Sequence, residues 1–288
     1  MKRILALVMA LCLFALPCLS LADGELDAIK SRGYIKVGVK ADVPGFGLLD
    51  PATNEYSGLE IDLARLVAAK IFGVDVADVA KYIQFTPVTA KTRGPELDNG
   101  NLDMDVSTFT IKPERLELYE FSKPYYVDSI GLMVLKDAGI QSFDDLLADD
   151  TVIGVAQGST TRDALTNAAA EKGVTFGLDK FDEMADYPTL KEALVAHQID
   201  CFSVDKSILG GYLDDAVEIL ADSFTEGAQP YGVAIKKGNT ELLALVDELI
   251  AELRAAGTID ELAAQYPQLA KIDWDVIDTH TAALWPAA

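Results

Sequence analysis

Residues 34–72 decide the fold class. Tyr34-Ile35-Lys36-Val37-Gly38-Val39 is a β-branched run, Asp42-Val43-Pro44-Gly45 breaks it, and Leu59 to Phe72 then carries apolar residues at 59, 63, 66, 67 and 71. The first run has the composition of a buried strand, the break is turn chemistry, and the last spacing is that of a helix with one apolar stripe. The alternation continues along the chain. Strands are predicted at 83–85, 104–109, 129–135, 152–156, 199–204 and 232–235. Helices are predicted from Pro95 to near Asn99-Gly100, at 163–172 and 189–196, and at 242–256 with Gly257 at the C′ position. Alternation of this kind builds an α/β fold with mainly parallel sheets.

The length of 288 residues fits two domains at roughly 100–200 residues each. No internal repeat or low-complexity linker interrupts the chain, so a domain boundary is expected where strands cross over. Half the residues are apolar and 24% are charged, which excludes disorder of the whole chain. The formal charge is −22, from 46 acids against 24 bases, which argues against a broad nucleic-acid surface. Two histidines and three cysteines leave little material for a zinc site. His197 at a helix end and His280 near the terminus read as surface residues, and no Ser/His/Asp set forms. No cofactor or metal is expected.

The first residues read as a secretory signal peptide. Lys2 and Arg3 precede an apolar run over 4–16, and Ser20-Leu21-Ala22 puts small residues at −3 and −1 of a cleavage site after Ala22. The run is too short for the roughly 20 residues of a spanning helix. A lipid anchor at Cys18 is disfavoured by Pro17 and Leu16 before it. Cleavage removes two bases, no acids, Cys12 and Cys18, leaving a net charge of −24 and Cys201 as the single thiol. No internal disulfide can form, and Cys201 in its apolar run reads as a small buried hydrophobe.

Ligands of open α/β sheets sit beyond the carboxyl ends of the strands. Those ends here are Lys40-Ala41-Asp42, Lys91-Thr92-Arg93-Gly94, Thr108-Phe109-Thr110, Gln157-Gly158-Ser159-Thr160-Thr161 and Asp205-Lys206-Ser207. Hydroxyls, bases and one acid recur. The glycine-serine-threonine stretch lacks the glycines and lysine of a phosphate loop. It can still offer free N–H groups to an anion, or serve as an ordinary N-cap.

Four ordered motifs carry a resemblance. Gly58-Leu59-Glu60-Ile61-Asp62-Leu63-Ala64-Arg65 resembles the signature of extracellular solute-binding proteins of the amino-acid type. Thr108 to Arg115 followed by Phe121-Ser122-Lys123-Pro124-Tyr125-Tyr126, then 155–161, then 202–207, are similar to its other hallmarks. Lys91-Thr92-Arg93-Gly94-Pro95 with Val204-Asp205-Lys206-Ser207 is most similar to the aspartate/glutamate-binding branch. The resemblance implies a two-lobed periplasmic-binding-protein fold of type II with a hinge of two crossover strands. Lobe one would be 23–132 and 229–288, and lobe two 133–228. It further implies an exported, periplasmic, monomeric receptor that closes on a free amino acid and delivers it to an ABC permease, with no chemistry of its own.

The site implied is Lys40, Phe46, Arg93, Thr108, Thr110, Arg115, Thr160, Thr161, Asp205 and Tyr231. Arg115 offers a planar fork to the α-carboxylate, with Thr110 beside it. The alternative for Arg115 is a surface ion pair with Glu114 or Glu117. Asp205 is the counter-charge for the α-ammonium, or a turn residue pairing with Lys206. Thr160 and Thr161 lend N–H groups, Thr108 replaces a glycine of many relatives, and Phe46 forms an aromatic wall or packs a loop. If Arg115, Arg93, Lys40 and Asp205 all line the site, its charge is +2, which favours an acidic ligand, glutamate or aspartate. If Lys40 reaches water and Arg93 braces a loop, glutamine fits instead. A dehydratase-like enzyme and an exported adhesin complete the alternatives. The extension after Pro267, with Trp274, His280 and Trp285, departs from the family pattern and is either packed on lobe one or a mobile tail. Glutamate and aspartate differ by one methylene, which sequence cannot separate.

Overall fold

The computed structural model describes residues 24–224 and 227–285; the leader expected at 1–22 lies outside the described residues. Ile35–Val39 pairs in parallel with Ile83–Pro87 on one side and Met104–Val106 on the other. Ala234–Lys236 then runs antiparallel between Met104–Val106 and Tyr119–Phe121, completing a five-stranded sheet. The helix Leu59–Phe72 buries Leu59, Leu63, Val67 and Ile71, one residue per turn, on a single face. Its start depends on Gly58 at φ +133, where a Cβ would stand 2.0 Å from the Phe46 carbonyl oxygen. Asp42–Val43, Gly47–Asp50 and Glu55–Ser57 make a small antiparallel sheet between that first strand and this helix.

The second sheet is ordered Phe181–Met184, Ile153–Ala156, Cys201–Asp205, Tyr126–Leu135 and Val217–Ile219, parallel over the first three and antiparallel after. Helices Thr161–Glu171 and Tyr187–Val195 belong to this lobe. Cys201 is fully buried and its thiol is pushed up by burial.

The lobes meet on one antiparallel pair. Tyr126 to Ser129 pairs with Ala228–Tyr231, Tyr126 opposite Tyr231 and Asp128 opposite Gln229. From Ile130 onward the long strand pairs with Val204 and Asp205, inside the second sheet. The long strand thus starts three residues before the predicted 129, because Tyr126-Val127-Asp128 puts a carboxylate into the crossover. The helix Leu59–Phe72 keeps its predicted bounds, the ends of the other predicted helices differ by one or two residues, and the strand predicted at 104–109 ends at Val106.

The segment after Pro267 is packed. Trp274–Leu284 is a helix capped by the Asp273 carboxylate, which accepts from Val276 N. Arg254 grips Asp278 through two bonds of 2.6 and 2.8 Å, and the Trp274 indole N–H donates to Asp260 at 3.0 Å. Ile272 and Ile277 are buried. Among the described residues no helix is long and apolar enough to cross a membrane.

Candidate functional site

The strand ends converge as the topology requires. Ala90, Arg93, Thr108 and Thr110 from lobe one face Ser159, Thr160, Thr161, Tyr187, Val204 and Asp205 from lobe two around a small cavity beside the hinge. The lobes touch across it: Arg115 Nη2 donates to the Gly158 carbonyl at 3.2 Å, and Lys91 Nζ to Gln157 Oε1 at 3.0 Å.

Arg93 opens the helix Arg93–Asp98, is only 3% exposed, and rests over the Phe109 ring at 3.9 Å. Its Nη1 donates to the carbonyls of Ser107 at 2.6 Å and Thr108 at 3.1 Å. It therefore braces a loop while also lining the cavity. Among the described residues no carboxylate forms a salt bridge with it, and its Nε has no partner. Lys40 does not reach water. It is 1% exposed, its Nζ lies 4.5 Å from the centre of the Tyr187 ring and 3.5 Å from Asp42 Oδ1, and burial, with Arg93 adding to it, lowers its pKa. Tyr187, not Lys40, lines the cavity there.

Arg115 forms no salt bridge with Glu114 or Glu117. It does not line the cavity but lies beside Thr110, half-buried, with Nη1 donating to the Thr110 carbonyl at 2.7 Å and its guanidinium 4.7 Å from the Phe109 ring centre. Burial and the neighbouring Arg93 push its pKa down to about 9, so it keeps its charge at neutral pH. Thr110 and Thr160, one from each lobe, both donate hydroxyl hydrogens to Gln229 Oε1, at 2.9 and 2.7 Å. Thr160 thus spends its hydroxyl on the hinge and does not cap the helix it precedes. Thr161 is buried with its Oγ1 unpartnered.

Asp205 accepts from the Tyr231 hydroxyl rather than pairing with Lys206, whose Nζ donates to the Asp222 carbonyl. Burial raises the pKa of Asp205, and burial together with Asp205 raises that of Asp128, which faces the same hydroxyl at 3.4 Å. Tyr231 and Phe46 stand off the cavity. Phe46 packs edge-on against Tyr126 at 5.2 Å and Tyr231 at 5.6 Å, so its aromatic surface serves the hinge. Thr108 takes φ +52, a conformation natural to glycine, and its hydroxyl donates to the Ser107 carbonyl. Its N–H donates to Glu60 Oε1 at 2.6 Å, and Tyr125 OH donates to the same oxygen.

Glu60, Gln229 and Tyr187 are the contributors that residue-level reading missed. Glu60 was visible only as a motif letter. Gln229 had one signal, an uncharged polar residue beside Pro230 and Tyr231 in an otherwise apolar stretch. Burial raises Glu60 to about 7 and the neighbouring Asp105 to about 6, so the count of four charges omitted two carboxyls behind Arg93.

Two α/β lobes on a crossed-strand hinge, with charged and hydroxyl groups of both turned into one cavity, define a solute-binding protein of the periplasmic type. The chain belongs to the bacterial extracellular solute-binding proteins, family 3, whose profile matches residues 35–268. It is 34% identical over 239 residues to the glutamine-binding protein GlnH of an ABC transporter in Bacillus subtilis (strain 168), covering 82% of each chain. It is 29% identical over 250 residues to the glutamate-binding protein GluB of Corynebacterium glutamicum, covering 84% of this chain and 81% of that one. Among solved structures, the ancestral amino-acid-binding protein AncCDT-1, a precursor of cyclohexadienyl dehydratase, superposes with a TM-score of 0.70 at 31% identity, over 84% of this chain and 99% of that one. An ancestral arginine-binding protein bound to arginine gives 0.69 at 27%, over 82% and 99%.

Proposed function

We propose that the protein is the exported receptor of an ABC amino-acid importer and that its ligand is an acidic L-amino acid, glutamate or aspartate. The observation that carries the ligand class is Arg93: a buried guanidinium that lines the cavity, donates only to backbone carbonyls and, among the described residues, forms no salt bridge, with Asp105, Glu60 and Asp205 acting on it only through space. A second carboxylate on the ligand supplies the direct partner it lacks, since burial raises Glu60 to about 7 and Asp105 to about 6 and so weakens both as counter-charges. In this reading Arg115 and Thr110 take the α-carboxylate, with the Thr161 N–H and hydroxyl, and Asp205 takes the α-ammonium. Lys40 adds positive field through Tyr187 rather than direct contact. Export by residues 1–22, a periplasmic setting and delivery to a permease belong to the same proposal. Binding without turnover is part of it too, and turnover of a prephenate-like acid would count against it.

Glutamine is the second reading, favoured by the glutamine-binding relatives. A thermal-shift panel of glutamate, aspartate, glutamine, asparagine, histidine and arginine, followed by calorimetry, decides between them. A ligand at 100 times its dissociation constant stabilises by about 2.7 kcal/mol. The expected result is a shift with glutamate or aspartate alone. A shift with glutamine alone refutes the acidic reading, and no shift with any amino acid refutes the receptor reading.

A further inference from the structure

Two buried carboxylates share one hydroxyl where the crossover strands meet lobe two. Asp205 ends the strand Cys201–Asp205 and lines the cavity, whereas Asp128 belongs to the crossover strand and does not line it. The fully buried Tyr231 hydroxyl stands between them, donating to Asp205 and lying 3.4 Å from Asp128 Oδ2. A phenol has a single hydrogen to give, so with Asp205 served, its lone pairs are what Asp128 meets. An ionised carboxylate is repelled by those lone pairs, and a protonated one donates to them. With a proton on Oδ2, Asp128 donates to Tyr231, Tyr231 donates to Asp205, and the chain of three carries one negative charge instead of two.

The surroundings fit that state. Among the described residues neither carboxylate forms a salt bridge. The N–H groups of Ser129 and Ser207 donate to Asp128 Oδ1 at 2.8 and 3.3 Å, and a carboxyl protonated on Oδ2 keeps both; Ser207 N–H also reaches Oδ2, at 3.1 Å. Tyr126, on the same strand as Asp128, shares a 2.9 Å hydrogen bond with the Ser207 hydroxyl. Lys206 and Asp273 line a groove together with Asp128, and Lys206 Nζ is spent on the Asp222 carbonyl. On the cavity side Arg93, Arg115 and Lys112 act on Asp205 through space, and Tyr187 lines the cavity beside it. Burial raises both carboxyls, and the charge of Asp205 adds to the rise of Asp128.

We propose that Asp128 is a positioning residue for the ammonium seat, holding a proton while no cation faces Asp205 and releasing it when an amino-acid ammonium docks there. The proposal rests on the reading of Asp205 as the seat of the α-ammonium, but not on which amino acid is taken. The ammonium supplies the positive charge that the proton had supplied. The O–H bond of Asp128 breaks with its electron pair left on the carboxylate, and the proton passes to water. Binding that releases a proton tightens as pH rises toward the value at which the ligand-free carboxyl ionises, and levels off above it.

Calorimetry at about pH 6.5 in two buffers of different ionisation enthalpy counts the protons, with glutamate, aspartate, glutamine, asparagine, histidine and arginine as probes. Asp128→Asn keeps a donor for Tyr231 and cannot ionise. Wild type is expected to release about half a proton more per ligand bound than Asp128→Asn, and its affinity to gain about threefold more between about pH 5.5 and 7.5. Glu60 and Asp105 remain in both chains, so the difference excludes them. Carbon NMR of aspartate carboxyls, with Asp128 assigned through the backbone, reads the same event in wild type alone and stands where the variant fails to fold. The Asp128 signal is expected at its protonated position before ligand and at its ionised position after. Proton counts that are equal in the two chains, or an Asp128 signal already ionised before ligand, overturn the proposal and leave the receptor reading intact. No binding heat with any of the six amino acids refutes the receptor reading, and the proton release with it.

Discussion

Arg93 and Glu60 stand on either side of one strained residue, Thr108, and each makes a separate prediction. Removing the guanidinium with Arg93→Ala is expected to cost an acidic ligand about 2–3 kcal/mol, the weight of a charged hydrogen bond, and glutamine much less. Calorimetry with both ligands checks it, with Arg93→Lys as the variant that keeps the charge and loses the fork. Glu60 faces Asp105, Arg93, Tyr125 and the Thr108 N–H, and its carboxyl is raised from 4.5 to about 7 by burial. A raised carboxyl holds its proton in the folded state where the unfolded chain has lost it. Its contribution is therefore complete below about 4.5 and is lost as pH rises through 7. Asp105, raised to about 6, acts in the same direction. The protein is expected to be more stable to urea at pH 5 than at pH 8, and Glu60→Gln to remove about 3 kcal/mol of that difference. An unchanged pH dependence in Glu60→Gln would show that the carboxyl is ionised in the fold. At this scale the sequence was legible where a charged group ended an apolar strand, as with Asp205. It was silent on Glu60, because an acid inside a helical stripe looks like solvated surface until the strand that covers it is in place.

Among elements, the loop before the helix Thr161–Glu171 carries a geometric demand that spans the two lobes. Gly158 sits at φ +76, and a Cβ there would lie 2.9 Å from the Ala90 carbonyl oxygen and 2.9 Å from Lys91 Cα, both in the opposite lobe. The left-handed conformation burdens an alanine in every state by about 1–2 kcal/mol, whereas the clash exists only when the lobes are shut. Gly158→Ala is thus expected to lower the ligand-free melting temperature modestly and to weaken binding by tenfold or more. Equal losses in the two would place the whole effect in the loop. Strand and helix periodicity located most elements. The helix opened at Arg93 rather than Pro95, because a proline within the first turn gives up only an N–H that has no helical partner. The hinge strand was underread for the opposite reason, since Asp128 interrupts an apolar pattern at the one place where the chain must pass between lobes.

The molecule as a whole carries a strong negative field around a site with positive groups. With net charge −22, or −24 without the leader, distant approach of an anion is opposed while the cavity attracts it. Screening acts on the distant part over roughly 8 Å at physiological salt. Association of glutamate or aspartate is therefore expected to speed up severalfold from about 10 to 150 mM salt, with dissociation little changed. Stopped-flow recording from a dye on Ala170→Cys, an exposed position of lobe two, measures both, and a rate that falls with salt would put the cavity's own field in control of encounter. The two-lobed architecture was legible from the order of the motifs. The path of the extension was not, because nothing in Trp274, His280 or Trp285 names the surface they meet.

The order of strands in lobe one also has a consequence for how the chain acquires its structure. Ala234–Lys236 lies between Met104–Val106 and Tyr119–Phe121, so that sheet has a missing interior member until the chain beyond the second lobe has emerged. Lobe two is drawn from one continuous stretch and can be complete by then. Assembly is therefore expected to run from the inserted lobe outward, with the first lobe sealed last by a strand delivered from its far side. Pulse-labelled hydrogen exchange should find amides of 201–205 protected before those of 104–106.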